Sequence, residues 1–269
     1  MASNYDDVLS QLQAAGLQVT SLEVGRMRRC RVEGDREKRG WYILHELPLS
    51  GGDLVLVGSY GVWRGADNGA QKIDLRKRDA AFSAEQRDSL KRRLAADRRR
   101  ADQERKQLAE RAAQRATAAW AKLSEDGDSE YLAAKGVQGF GLRYSGKGAA
   151  VVPMLDAQGQ IHGLQLLRSA KQASADKRPA KEYWPAGAVK QGHFHQIGAP
   201  QWIVLIAEGY ATAASAHMAT GYPVAVAFDA GNVPAVAAAL RKRYRDARIL
   251  ILAADDELQK CQACKARLV

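Results

Sequence analysis

Cysteine is scarce in this chain. Cys30, Cys261 and Cys264 are the only three in 269 residues. An odd number so spread excludes a disulfide framework and fits a reducing, cytoplasmic setting. Long apolar runs are missing as well. None approaches the ~18 residues of a membrane span, so neither a transmembrane helix nor a membrane partner is expected. The N-terminal Met1–Asp7 has no basic stretch followed by an apolar one, so no secretory signal is expected. There is no Gly-x-x-x-x-Gly-Lys-Ser/Thr string, which argues against a P-loop motor. Cys261-x-x-Cys264 has no second pair to complete a zinc knuckle, and zinc is not expected.

What the chain does carry is positive charge. The net charge is +11, and apolar residues make up 46%, an ordinary share for a protein with a core. Such a surplus favours a polyanionic partner, of which nucleic acid is the commonest in the cytoplasm. Between Ser83 and Leu123, twelve Lys/Arg stand against six Asp/Glu. That segment is either a solvated helix laced with ion pairs or a direct nucleic-acid contact.

Four pieces are legible. Residues 1–78 read as a short helix over 5–16 and then a small β-rich module, with strands at 28–32, 41–45, 54–63 and 71–75. Trp41, Tyr42, Tyr60 and Trp63 are interleaved there with Arg28, Arg29, Arg31, Lys38 and Arg64. That pattern suits stacked bases and phosphates of a single strand, or else the rings are core. Residues 79–127 read as a long charged connector helix, with Ser83 and Gln86 forming a capping box and a thin, Ala-rich apolar stripe. Residues 128–200 read as a mixed β subdomain with a hairpin of 149–155 and 161–167. The polar stretch 169–180 is expected to be a mobile loop. His193 and His195 fall on one face of a strand, where packing competes with a metal pair. Residues 201–269 read as β-α-β-α-β, with strands at 202–207, 224–228 and 248–254. Strands alternating with helices of about ten residues imply a parallel sheet, and so an α/β fold, α+β overall.

The C-terminal ends of such strands are where α/β sheets carry their sites. Glu208 follows one of them, and Asp255, Asp256 and Glu257 follow another. Mg²⁺ takes oxygen ligands and needs only one or two carboxylates plus substrate phosphates. Asp255 and Glu257, two residues apart, can converge on one ion, with Glu208 as general acid or base or as a further ligand. The competing reading is a helix N-terminus decorated with acids, which the helix dipole favours anyway. Arg143, Lys147, Arg168 and Lys181 are candidate phosphate or template contacts by charge and position. Gly146-Lys147-Gly148 is too short to be a nucleotide loop by itself and defaults to a turn.

The string Glu208-Gly209-Tyr210-Ala211-Thr212-Ala213 resembles that of toprim-domain primases of phages and conjugative plasmids. Phe228-Asp229-Ala230-Gly231-Asn232 looks like the matching loop of those primases, and Val151–Asp156 with Gly163-Leu164-Gln165 resembles the hairpin that precedes toprim. The likeness extends over most of residues 20–257. It implies a toprim-like parallel β-α-β core preceded by a mixed β region, a long basic helix and a small N-terminal β-rich module. It also implies RNA primer synthesis on single-stranded DNA from ribonucleoside triphosphates, with Mg²⁺ or Mn²⁺ as cofactor. Metal would sit on Asp255, Asp256 and Glu257, with Glu208 catalytic and Asp229 and Asn232 at the nucleotide or template. A replicative helicase is a further partner of such proteins. Two departures stand out. Position 257 is Glu where the family has Asp, and Leu258–Val269 does not match the helix and strand that continue a toprim domain, so the domain is read as incomplete. The alternatives are a non-catalytic nucleic-acid-binding remnant and a toprim-type metal-dependent nuclease.

Overall fold

The computed structural model describes residues 2–35, 37–49, 53–64, 67–75, 84–199 and 201–253. The chain divides into two compact units, Met1–Glu104 and Arg105–Val269.

The first unit is a helix on an antiparallel sheet. Helix α1 (Tyr5–Ala14) precedes strands β1 (Leu17–Gln18), β2 (Arg28–Val32), β3 (Gly40–Pro48), β4 (Leu54–Val62) and β5 (Gln71–Lys72), which lie side by side in chain order. Helical spacing puts Val8 and Leu12 on one face of α1, and they bury against Leu17, Leu44 and Leu56. The amide of Asn4 bonds the backbone of Leu56 in both directions, at 3.0 and 2.8 Å, which pins the start of the helix to β4. Gly58 lets β3 and β4 close: a Cβ there would collide with the carbonyl oxygen of Ile43. Of the four rings that suited stacked bases, Trp41, Tyr42 and Tyr60 are buried core. Trp63 is half-buried, with the Arg29 guanidinium 5.5 Å from its ring centre.

Helix α2 (Ala84–Trp120) carries the basic segment. Its expected N-cap, Ser83, lies outside the described residues. In the first unit, Asp97 meets buried His45 at 3.0 Å and Arg93 donates to the carbonyl of Glu46. Asp97 and Arg93 thereby bind the helix to β3.

The second unit has two sheets. After α3 (Glu130–Lys135), strands β6 (Arg143–Tyr144), β7 (Ala150–Leu155) and β8 (Ile161–Leu167) form an antiparallel meander. Helix α4 (Ala170–Asp176) and strand β9 (Lys181–Trp184) follow, and β9 pairs with β8. The other sheet is built from β10 (His195–Ile197), β11 (Ile203–Ala207), β12 (Val224–Val226) and β13 (Arg248–Leu252), in the order β10-β12-β11-β13. β12, β11 and β13 are parallel and β10 runs against them. Helix α5 (Tyr210–Thr220) lies between β11 and β12, and α6 (Val233–Arg243) leads to β13.

Alternation along the parallel strands divides the core in two. Ile203, Leu205, Ala207, Val224 and Val226 face α5 and the meander strands β7 and β8. Val204, Ile206, Ala225 and Ala227 face α6 through Val236 and Leu240. A sheet covered on both faces explains why β11 reads as an unbroken apolar run.

The stretch 169–180 departs from the expected loop. Ser169 caps α4, accepting from the backbone N–H of Gln172 at 3.1 Å, while the Gln172 side chain accepts from the N–H of Ser169 at 3.0 Å. This is a full capping box, and its signal, Ser-x-x-Gln, was present in the sequence. Among the described residues, no helix is long and apolar enough to cross a membrane.

Candidate active site at the parallel sheet edge

β11 ends at Ala207, in register with Leu252 of β13 and Val226 of β12. Glu208 is the next residue, exposed, at the C-terminal edge of the sheet. Because β11 and β13 are adjacent and parallel, the chain leaving β13 departs from that same edge. Asp255, Asp256 and Glu257 follow within five residues of Leu252 and lie outside the described residues. Among the described residues, no group of three or more His, Cys, Asp or Glu is placed to hold a metal ion. Glu208, an exposed carboxylate at this edge, has the oxygen chemistry Mg²⁺ takes, and Mg²⁺ needs only one or two such groups from a protein.

The motif that opens at Glu208 does two jobs. Gly209 is extended and Tyr210 begins α5. Tyr210 is buried; its hydroxyl donates to the carbonyl of Gln138 at 3.0 Å and accepts from the N–H of Phe140 at 2.6 Å. Burial pushes its phenol well above the usual tyrosine range. The acid of the motif is therefore presented to solvent, while the aromatic anchors the loop before β6.

At the end of β12, Phe228 adopts a left-handed backbone conformation with φ 72°, which is costly for a bulky residue and is concentrated at functional sites. Its carbonyl accepts from the Tyr183 hydroxyl at 2.9 Å. Burial raises the Tyr183 phenol and the Glu208 charge adds to the rise, so Tyr183 stays protonated as a donor beside this edge. Lys190 sits 4.9 Å from the centre of the Tyr183 ring and forms an ion pair with Asp229. Burial lowers the Lys190 ammonium from its ordinary value. The edge thus gathers Glu208, Tyr183, Lys190 and Asp229.

Tyr183 and Lys190 were not singled out from the sequence. Both lie within residues 20–257, over which the likeness to the primases extends, and neither was given a role there. The alternation of Glu182, Tyr183 and Trp184 is the signal that could have assigned Tyr183 to the face shared with Gln165, its partner across β8 and β9.

Asp229 caps the turn Ala230–Asn232, accepting from the N–H of Asn232 at 2.8 Å. Asn232, expected at the nucleotide or template, is buried. Its oxygen accepts from the N–H of Gly192 at 2.7 Å, and its amide nitrogen donates to the carbonyls of Lys190, His193 and Ala227. Every polar atom of that side chain is spent inside the fold. Its work is to clamp the 190–193 loop, and with it Lys190, against the end of β12.

The four basic candidates do not gather around Glu208 as a set. Arg143 donates to the Trp120 carbonyl at 2.8 Å, pairs with Glu125 and lies 5.0 Å from the Trp120 ring centre, so it holds the end of α2. Arg168 is buried, bonding the Pro179 carbonyl at 3.0 Å and Glu182 at 2.8 Å. Lys147 is exposed and pairs with Asp176 at 2.8 Å. Lys181 is exposed on β9, two residues before Tyr183 and so on the same face. Gly148, after Lys147, takes a left-handed turn conformation, φ 76°.

The two histidines expected on one strand face have separate partners. His193 precedes β10 and stacks on His162, ring centres 4.1 Å apart, while its Nδ1 bonds the Val189 carbonyl. His195 is buried and donates from Nε2 to the Phe140 carbonyl at 2.8 Å.

No family model matches the chain, and no solved structure matches it. Two curated Escherichia coli proteins, each named DNA primase TraC, are similar to it. One is 35% identical over 133 residues, which is 47% of this chain and 9% of that protein. The other is 28% identical over an alignment of 271 residues, which is 94% of this chain and 24% of that protein. The chain therefore spans about a quarter or less of the length of these relatives.

Proposed function

We propose that this chain carries the catalytic edge of a primase of plasmid type with a toprim-like core, joining ribonucleotides into short primers on single-stranded DNA. The observation that carries this reading is the register of β11 with β13, which sends Glu208 and the chain toward Asp255-Asp256-Glu257 off one sheet edge. The similarity to proteins named DNA primase TraC supports it.

In this reading the 3′-hydroxyl of one nucleotide attacks the α-phosphate of the next, and the bond to pyrophosphate breaks. Mg²⁺, held by Asp255, Glu257 and Asp256 with Glu208 nearby, would neutralise charge on the phosphoryl group. Glu208 accepts the hydroxyl proton. Lys190, held in place by the Asn232 clamp, exchanges Asp229 for a triphosphate oxygen, a stronger partner for a half-buried ammonium. Tyr183 stays protonated and hydrogen-bonds beside them.

The decisive assay supplies single-stranded DNA, labelled ribonucleotides and Mg²⁺. Short labelled products are expected. Binding without product would favour a nucleic-acid-binding role. Metal-dependent shortening of the DNA would favour a nuclease.

A further inference from the structure

β9 sends adjacent rings to opposite faces of its sheet. Tyr183 faces Phe228 and the Glu208 edge. Trp184 faces the other way and packs with Ala116, Val151 and Leu164 beneath the C-terminal part of α2. That part of the helix sets two small residues, Ala116 and Ala119, before Trp120 over a sheet face of Val151, Ile161, Leu164 and Leu166, and the small pair leaves space against the larger side chains below.

What remains is a groove in two joined parts, of about 380 and 390 Å³, which share Ser145, Leu166, Arg168 and Arg178. Each part lies in the range of small-molecule sites, roughly 300–1,000 Å³. Its floor is apolar, from Leu123 and Leu164, and the Trp184 indole forms a wall. The rim carries Arg168, Arg178 and Lys147 against Glu182 and Asp176, a net positive charge. Glu182 is one carboxylate shared by two guanidiniums, Arg168 at 2.8 Å and Arg178 at 3.3 Å. Lys147 stands at the open end, paired with Asp176 at 2.8 Å, and the Arg115 guanidinium lies 5.3 Å from the Trp184 ring centre.

We propose that this groove holds single-stranded nucleic acid at a second contact, separate from the Glu208 edge. A base enters the apolar slot beside Trp184, and its flanking phosphates meet Arg178 and, by exchange with Asp176, Lys147. Flat apolar walls under an unbalanced cationic rim match a base with its phosphates. They match an uncharged peptide less well, because such a peptide would leave Arg178 without an added counter-charge. The inference rests on the reading of the chain as a single-strand-binding primase, but it uses neither Glu208 nor the metal.

The neighbouring positions of Tyr183 and Trp184 supply the test. The full chain is irradiated with a single-stranded oligonucleotide carrying one 5-iodo-deoxyuridine, and the crosslinked residue is located by peptide mass spectrometry. Crosslinks at Trp184 are expected. Crosslinks at Tyr183 but none at Trp184 would overturn this proposal and leave the function above standing. Crosslinks at Trp184 but none at Tyr183 would support the groove and count against the Glu208 edge as a strand site. Crosslinks at neither ring would overturn the proposal, as would protection of Trp184 by a second copy of the chain and not by the oligonucleotide. Arg178→Ala provides an independent reading, since this residue is exposed and its loss leaves Glu182 paired with Arg168. It is expected to weaken oligonucleotide binding and to lower the salt slope of log affinity by about 1. An unchanged slope, with an unchanged melting temperature, would overturn the phosphate contact.

Discussion

At the residue scale, four side chains separate work at the site from work that builds it. Glu208 is exposed at a strand end, so Glu208→Gln is expected to abolish primer synthesis while changing stability by less than about 0.5 kcal/mol. The readouts are product formation and a denaturant melt; wild-type synthesis by the variant would remove Glu208 from the mechanism. Tyr210, two residues on, should behave in the opposite way. Tyr210→Phe deletes a hydroxyl that satisfies both the Phe140 N–H and the Gln138 carbonyl. It is expected to cost about 1 kcal/mol, because two part-buried hydrogen bonds of a buried hydroxyl are lost. His195 gives a pH signature. Burial holds its imidazole down at about 4, against an ordinary 6.5, and its Nδ1 is buried without a hydrogen-bond partner. Between these values the unfolded chain binds the proton and the folded one does not. Stability from this group is therefore full above about 6.5 and is lost as pH falls toward 4. Urea melts from pH 7 to pH 4 should show the decline, and His195→Gln should flatten it. Asn232 completes the set: a residue that reads as a polar candidate from the sequence proves to be buried and bonded to four backbone groups.

At the element scale, alternation decides most of what the second unit does. β11 could be recognised from its apolar run, and its neighbours β12 and β13 from the helices between them. The spacing implied a parallel sheet, and the register of β11 with β13 aligns Ala207 with Leu252. β9 was less legible, because four residues of mixed character carry little periodic signal. Its two faces become distinct only once it pairs with β8, with Tyr183 beside Gln165 and Trp184 beside Leu164. Helix α4 was legible and was passed over, since the lysines, arginine and polar residues around it weigh toward a loop. Ser169→Ala removes the capping hydroxyl and its bond to Gln172, and also the contact of Ser169 with Glu130 at 2.7 Å. A loss of about 1 kcal/mol is expected in a denaturant melt. No change in the melt would mean that α4 is held by its tertiary contacts alone.

At the scale of the whole molecule, the +11 charge sets the physics of any encounter with DNA. Each phosphate neutralised releases condensed counterions, so affinity for single-stranded DNA should fall steeply with salt. A fluorescence anisotropy titration from low to physiological salt checks this, and a flat response would mean the charge serves solubility alone. Metal binding can be read without activity. Mg²⁺ or Mn²⁺ that binds only the folded chain raises its melting temperature, and Glu208→Gln should shrink that rise. Equal shifts in both proteins would remove Glu208 from the metal site.

Charge, apolar periodicity and local turn chemistry act between neighbours in the chain, and these the sequence by itself determined. They yielded an α/β protein with a parallel β-α-β segment, a long basic helix, an antiparallel hairpin before the sheet, and an acid at the end of a strand. Which residues meet across that framework was decided only by the tertiary structure. The gathering of Tyr183 and Lys190 with Asp229, the burial of Asn232, and the diversion of Arg143 and Arg168 into structural ion pairs depend on strand pairing and on which face each side chain takes. A one-residue change in register reverses a face, and a carboxylate tens of residues away decides whether a cation is spent or available. Neither is encoded in the spacing of residues along the chain, so the elements were legible and the partnerships were not.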